Sequence, residues 1–286
     1  MKLIKLFILI SFLMYNIDAQ DYTNKIDEYT FGGNTDDNAV KINAFKNETD
    51  GKIEIQFIVD NKSYYRFFVE MSFEKLQNLS PHRYRVYESV EPGNTILAVY
   101  NVENLTLPFD YMYSYKFSFG IPSIIAEKDF PYLIPLQTEK QIQQQNISGK
   151  FAVKLYDTIV ASRRGYIAGI PEQNLYKPFF ENCIEIVHED NTIATYLINS
   201  NYKLLVTSWD KVIPGQPLAI IKSDGYLRFR VYQFPEGNKY NEIDINYVLD
   251  NNHKGKYNDL VNIQVKHPVS IITKEFSKRE LKKYKK

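Results

Sequence analysis

Cysteine is nearly absent: Cys183 is the only one in 286 residues. A single thiol excludes an intramolecular disulfide. Its place far from the N-terminus also excludes lipid attachment beside a signal cleavage site. Its plain reading is a small, buried, apolar side chain. Histidine is almost as scarce, with only His82, His188, His253 and His267. No two of these form H-x-H. The residues four after them are Val86, Thr192, Tyr257 and Ile271, so no H-x-x-x-D exists either. An excess of one charge is missing too. Lys and Arg number 35 against 34 Asp and Glu, a net +1, which excludes a global basic field for nucleic acid. No G-x-G-x-x-G or phosphate loop occurs, and no cofactor is expected. Long apolar runs are lacking. Leu3 to Met14 is apolar but too short to span a bilayer. With Lys2 and Lys5 around its start and Ala19 at its end, it reads as a secretory signal, the mature chain beginning at Gln20 or Asp21. The expected product is exported, periplasmic or extracellular, with no transmembrane segment after cleavage.

What the chain has is aromatic, strand-forming sequence: 23 Tyr and 18 Phe, with Ile and Val between Asn- and Asp-rich turns. An all-β fold is expected. Residues 21–50 are polar, with a weak strand at Ala39 to Phe45. Lys52 to Val59 alternates cleanly and predicts a strand. Further strands are expected at Tyr64 to Glu74, Tyr84 to Val90, Thr95 to Asn101 and Tyr111 to Gly120. Short strands at this spacing suggest a β-sandwich. Pro131, Pro135 and the glutamines from Gln141 to Gln145 then break the pattern. The expected division is residues 1–19 signal, 20–123 sandwich, 124–147 join, 148–272 second β domain and 273–286 basic tail. The tail reads as a solvated end.

The second domain carries the informative stretch, Gly149 to Tyr232. It reads GKFAVKLYDTIVASRRGYIAG, then after a loop NCIEIVHEDNTIATYLI, then WDKVIPGQPLAIIKSDGYLRFRVY. Ile184 to His188 and Thr192 to Ile198 form a hairpin around Glu189-Asp190-Asn191, Tyr226 to Tyr232 is the last core strand, and further strand-like runs follow at Ile243 to Leu249 and Leu260 to Val265. In order and phrasing this stretch resembles the core of the LytM/lysostaphin-type zinc metallopeptidases of peptidoglycan. The resemblance implies an antiparallel β-sheet peptidase core, and likens the sandwich before it to the Ig-like domain that precedes the core in some secreted members. The family's motifs are H-x-x-x-D, Y-x-H-L and H-L-H-F.

The family's metal chemistry does not carry over. Phe151-Ala152 and Val160-Ala161 match around the first motif, so its Asp position holds Lys150 and its His position holds Asn146. Leu227 and Phe229 match the last motif, so its two His positions hold Tyr226 and Arg228. Tyr196 matches the Tyr of Y-x-H-L, whose His position holds Ile198. The resemblance thus makes Asn146, Lys150 and Arg228 former metal positions, and Ile198 and Tyr226 former catalytic ones. A hydrolytic zinc site needs three lone-pair ligands and an open position. Lys and Arg are cations without a lone pair to give. No metal and no catalytic residue is expected.

The resulting expectation is a secreted, non-catalytic homologue that binds and regulates cell-wall hydrolases or binds peptidoglycan. An active metallopeptidase with an unrecognised site, and a surface adhesion or structural module, are the alternatives. Lys150, Arg228 and Arg230 are the candidate ligand-binding residues, with Arg163 and Arg164 close in sequence to the same strands. The bland counterpart is that Lys150 and Arg228 pair with local acids such as Asp157 or Asp224. His188 reads as a half-buried side chain bonded to neighbouring backbone. Glu185, Glu189 and Asp190 read as charges on a solvated face.

Overall fold

The computed structural model describes residues 40–63, 65–120, 124, 126–127, 129–142, 149–170, 183–236, 239–250 and 253–284. The expected signal segment, the polar run before Val40, Asn146 and the loop with Pro171 and Pro178 lie outside them.

Alternation builds the N-terminal half. In Lys52–Asn61 every second side chain is apolar, so one face of the strand is Ile55, Phe57 and Val59, all buried. Phe67–Gln77 does the same with Phe67, Val69, Met71 and Phe73. Two antiparallel sheets close over these side chains. One has the order Val40–Thr49, Lys52–Asn61, Gly93–Val102, Leu79–Ser80. The other has Arg85–Val90, Phe67–Gln77, Asp110–Phe119. Phe57 sits in the middle, edge-on to Phe73 at 5.0 Å and Tyr113 at 5.2 Å. The first strand runs ten residues rather than a short weak segment, because Asp50 (φ 50°) and Gly51 (φ 70°) make a two-residue hairpin turn that pairs Thr49 with Lys52.

The C-terminal half is built on Gly225–Glu236. Leu227, Phe229 and Val231 point into a second core, and Tyr226, Arg228 and Arg230 point the other way. This strand pairs along one side with Ile193–Asn199. Along its other side it takes Lys150–Val153 and then Lys239–Glu242. Ile184–Val187, Gly165–Gly169 and Lys211–Val212 extend the sheet. Thr158–Val160, Pro217–Ile221 and Tyr202–Leu204 form a separate small sheet. Its Ile159, Leu218, Ala219 and Ile221 join Phe151, Phe229 and Tyr196 in the same core. The fold is all-β in both halves. No helix among the described residues is long and apolar enough to cross a membrane.

Three expectations change. Residues placed in an extended join are partly core: Tyr132, Leu133, Ile134 and Leu136 are each at most 2% exposed. Pro131–Tyr132 pairs in parallel with Asn246–Val248, which anchors this stretch to the second core. Leu260 to Val265, strand-like by sequence, forms no strand: Leu260 ends a 3-10 turn, Tyr257–Leu260, and Gln264 makes an isolated bridge with Gln141. The basic tail holds a helix, Lys278–Tyr284. Ser277 and Glu280 cap its start reciprocally: the Ser277 hydroxyl accepts from Glu280 N–H at 3.3 Å and Glu280 accepts from Ser277 N–H at 2.8 Å.

The two halves touch closely. Ala168, Val187 and Ile193 of the second sheet pack into the sandwich core, and Phe119 meets Phe234 at 4.5 Å between ring centres. The Arg66 N–H donates to the Tyr166 hydroxyl at 3.1 Å, and the Tyr65 hydroxyl donates to Glu185.

Candidate functional site

Lys150 and Arg228 stand directly opposite each other on neighbouring antiparallel strands. Gly149 makes the approach possible. It has φ 70°, and a Cβ there would fall 2.4 Å from the Phe229 carbonyl oxygen. Its own carbonyl accepts from Phe229 N–H at 2.7 Å. At the other end of the strand pair, a Cβ on Gly225 would fall 2.2 Å from the Asn199 carbonyl oxygen. The two glycines let three strands close up at this point. The Tyr257 hydroxyl also donates to the Lys150 carbonyl and ties the strand down.

The outer face here is polar and half-buried. Lys150 Nζ lies 3.8 Å from the centre of the Tyr226 ring, a cation–π contact. The Tyr226 hydroxyl accepts from Asn199 Nδ2 at 2.8 Å. Neither Lys150 nor Arg228 has a carboxylate within ion-pair distance among the described residues. The acids expected to neutralise them are committed elsewhere. Asp157 holds Lys140 and the Lys154 N–H, and Asp224 Oδ1 accepts from the Leu155 N–H at 2.9 Å.

The other sequence candidates do not join this pair as one patch. Arg230 shares the face but bonds Glu242 at 2.7 Å. Ile198 lies opposite Leu227 on the other side of the sheet, 8% exposed and inside the core. Lys150, Tyr226 and Arg228 therefore share one face, and Ile198 does not. Asn146 lies outside the described residues.

Arg163 and Arg164 are used elsewhere. Arg163 is 3% exposed, its guanidinium carbon 3.6 Å from the centre of the Phe130 ring. It donates to Asp190 at 2.7 Å, to Glu275 at 2.7 and 3.0 Å, and to the Tyr132 hydroxyl at 3.3 Å. Arg164 donates to Glu280 through two nitrogens at 3.0 Å and to the Glu275 carbonyl at 2.8 Å. Beneath them His188 is 2% exposed, more deeply buried than sequence suggested. Its Nδ1–H donates to the Arg164 carbonyl at 2.7 Å, which leaves Nε2 bare and without a hydrogen-bond partner. Burial first, and then Arg163, push this imidazole down to about 3, so it stays neutral at physiological pH. Burial alone would raise the Asp190 carboxyl. The Arg163 guanidinium and its hydrogen bond, with His188 and Thr192, hold it below its ordinary value instead.

The carboxylates read as solvated charges divide in two. Glu189 is exposed. Glu185 is fully buried against the Tyr65 hydroxyl, and Asp190 is locked to Arg163. Cys183 is buried, and burial followed by the Glu185 charge raises its thiol well above the ordinary value, so it is a poor nucleophile. Among the described residues no three His, Cys, Asp or Glu side chains are grouped to hold a metal.

No family model matches the chain, and no curated protein matches it. Among solved structures, Csd3 of Helicobacter pylori, from a hexagonal crystal, aligns over 85% of this chain and 76% of its own. The TM-score is 0.29 and the identity 10%. A likeness at that level decides nothing about chemistry. What the site can do follows from its own residues: two adjacent cations, one stacked on a tyrosine, suit a carboxylate and repel a dication.

Proposed function

We propose that this chain is a secreted, non-catalytic relative of the LytM-type peptidases that binds a carboxylate with the Lys150–Arg228 face. The carboxylate belongs to peptidoglycan or to an acidic loop of a cell-wall hydrolase that the chain regulates. One observation carries this reading. The two cations that stand at former metal positions by resemblance lie opposite each other, half-buried, with no carboxylate partner among the described residues. Arg holds a carboxylate as a planar fork and Lys as a point charge, so the pair suits that ligand in a way a metal would not match.

The test is co-sedimentation with purified peptidoglycan, and pull-down from envelope extract, comparing wild type with Lys150→Ala/Arg228→Ala. A loss of one to two orders of magnitude, about what a partly buried charge contact is worth, is the expected result. Equal binding by the folded double variant overturns the proposal. Zinc analysis after dialysis separates the active-peptidase alternative: one zinc per chain, lost on changing residues between Gly149 and Tyr232, would favour it.

A further inference from the structure

The Lys150–Arg228 pair does not end in flat surface. Arg228 faces Leu197 across the strand pair and Tyr226 faces Asn199. Leu197 and Asn199, with Ser200, Asn201, Ser223 and Asp224, line an open depression of about 570 Å³. Apart from Leu197 and Ile198, its lining is amide, hydroxyl and carboxylate. Ser200 Oγ donates to the Ser223 carbonyl, and Ser223 Oγ accepts from the Asn201 N–H at 3.2 Å, so these side chains are held in place. At its far end stands Asp224, exposed. One of its oxygens is fixed by the Leu155 N–H, and the other accepts from no described residue. The face thus runs from two cations, past a tyrosine ring, through amides and hydroxyls, to one carboxylate.

We infer that this face binds a short extended peptide by both ends. The terminal carboxylate sits on Lys150 and Arg228, its amides lie over the Asn199–Asn201 and Ser223 lining, and its amino group sits on Asp224. The inference rests on the carboxylate reading above and adds the ligand class and its direction. The lengths agree. Arg228 is three steps, about 10 Å, into the strand that begins at Gly225, and Asp224 stands one residue before it, so the two are no farther apart than the ends of an extended tetrapeptide. Capture of chain termini by fixed charges and polar backbone is a common recognition mode. A ligand with a carboxylate alone would leave the acid at the far end unused.

NMR titration of the whole protein with tetra-alanine tests this. Three forms serve: free at both ends, amidated at the C-terminus, and acetylated at the N-terminus. Amidation is expected to weaken binding about tenfold or more, and acetylation about three- to tenfold, the range of single charge contacts at a partly exposed site. Asp224→Asn is expected to reproduce the acetylation loss with the free peptide and to cost nothing further with the acetylated one. The peptide chemistry keeps the test decisive even where a variant folds poorly. If amidation weakens binding but acetylation and Asp224→Asn do not, the two-ended inference is overturned while the carboxylate reading stands. If amidation and Lys150→Ala/Arg228→Ala both leave binding unchanged, both fall. If tetra-alanine does not bind in any form, the inference is overturned, and the sedimentation assay alone judges the carboxylate reading.

Discussion

Two groups of cations in the C-terminal half make an instructive contrast. Arg163 and Arg164 are adjacent in sequence and look like a basic patch. In the fold Arg163 is buried between Asp190 and Glu275, and Arg164 is forked onto Glu280. Lys150 and Arg228 are 78 positions apart and look unrelated. In the fold they are neighbours with no described carboxylate between them. Charge in a sequence therefore says little about where binding occurs. What matters is whether the fold brings an acid to neutralise it. The Arg163 corner works as a fastener, since it ties the Glu275 segment, 112 residues away, to the sheet. The Lys150 strip has spare capacity.

The most damaging way to probe this contrast is Arg163→Met. Removing the guanidinium leaves two carboxylates in a largely buried corner without their cation. A loss of about 3–5 kcal/mol in unfolding free energy is expected by urea titration. A loss below about 1 kcal/mol would mean the corner is not a fastener.

The pH profile sharpens the same point. His188 is held near 3 in the folded protein against an ordinary 6.5. The unfolded chain therefore takes up a proton between those values that the folded one refuses. Stability rises with pH across that window and is lost as pH falls from about 6.5 toward 3, at no more than about 1.4 kcal/mol per pH unit. Asp190 acts in the same direction at lower pH: its depressed carboxyl contributes stability above its unfolded value, lost on acidification. Urea midpoints between pH 6.5 and 4.5 should fall, and His188→Gln should flatten that slope whatever its effect on the absolute stability. A wild-type profile flat over this range would contradict the neutral, buried imidazole.

Glu280→Gln is a milder probe. The Glu280 carboxyl is held down to about 2 by Ser277 first and by Arg164 second. The exposed position makes the expected drop in melting temperature smaller than that of Arg163→Met. A drop as large would move the fastener from Arg163 to the helix cap. The smallest stability effect is expected for Lys150→Ala/Arg228→Ala. Half-buried cations without an acid partner among the described residues contribute little beyond one cation–π contact, about 0.5–1 kcal/mol. A destabilisation rivalling Arg163→Met would show that the strip, too, is structural.

Much of the fold was readable from alternation. The strands of the sandwich and the hairpin around Asn191 (φ 62°) depend on period-two burial and turn chemistry within a few residues. Two local signals were legible and missed. Asp50-Gly51 marks the first hairpin, and Ser277 followed by Glu280 three residues on marks a helix start. Tyr132 to Leu136 was not legible. Its prolines suggest a linker, and partners elsewhere in the fold make it core: Pro131–Tyr132 pairs with a strand more than a hundred residues later, and Leu136 bridges Ile159. In the candidate site, the facing of Arg228 on its strand followed from parity, but its pairing with Lys150 and the withdrawal of Arg163 and Arg164 did not.

The sequence was enough on its own for the all-β class and the inward faces of the main strands. Each of these depends on residue type and on spacing within one strand or turn. Tertiary structure alone decided which charges remain unpaired. That is because an ion pair is set by distance in space, and Asp190, Glu275 and Glu280 reach the arginines only after the sheet and the C-terminal segment have closed around them.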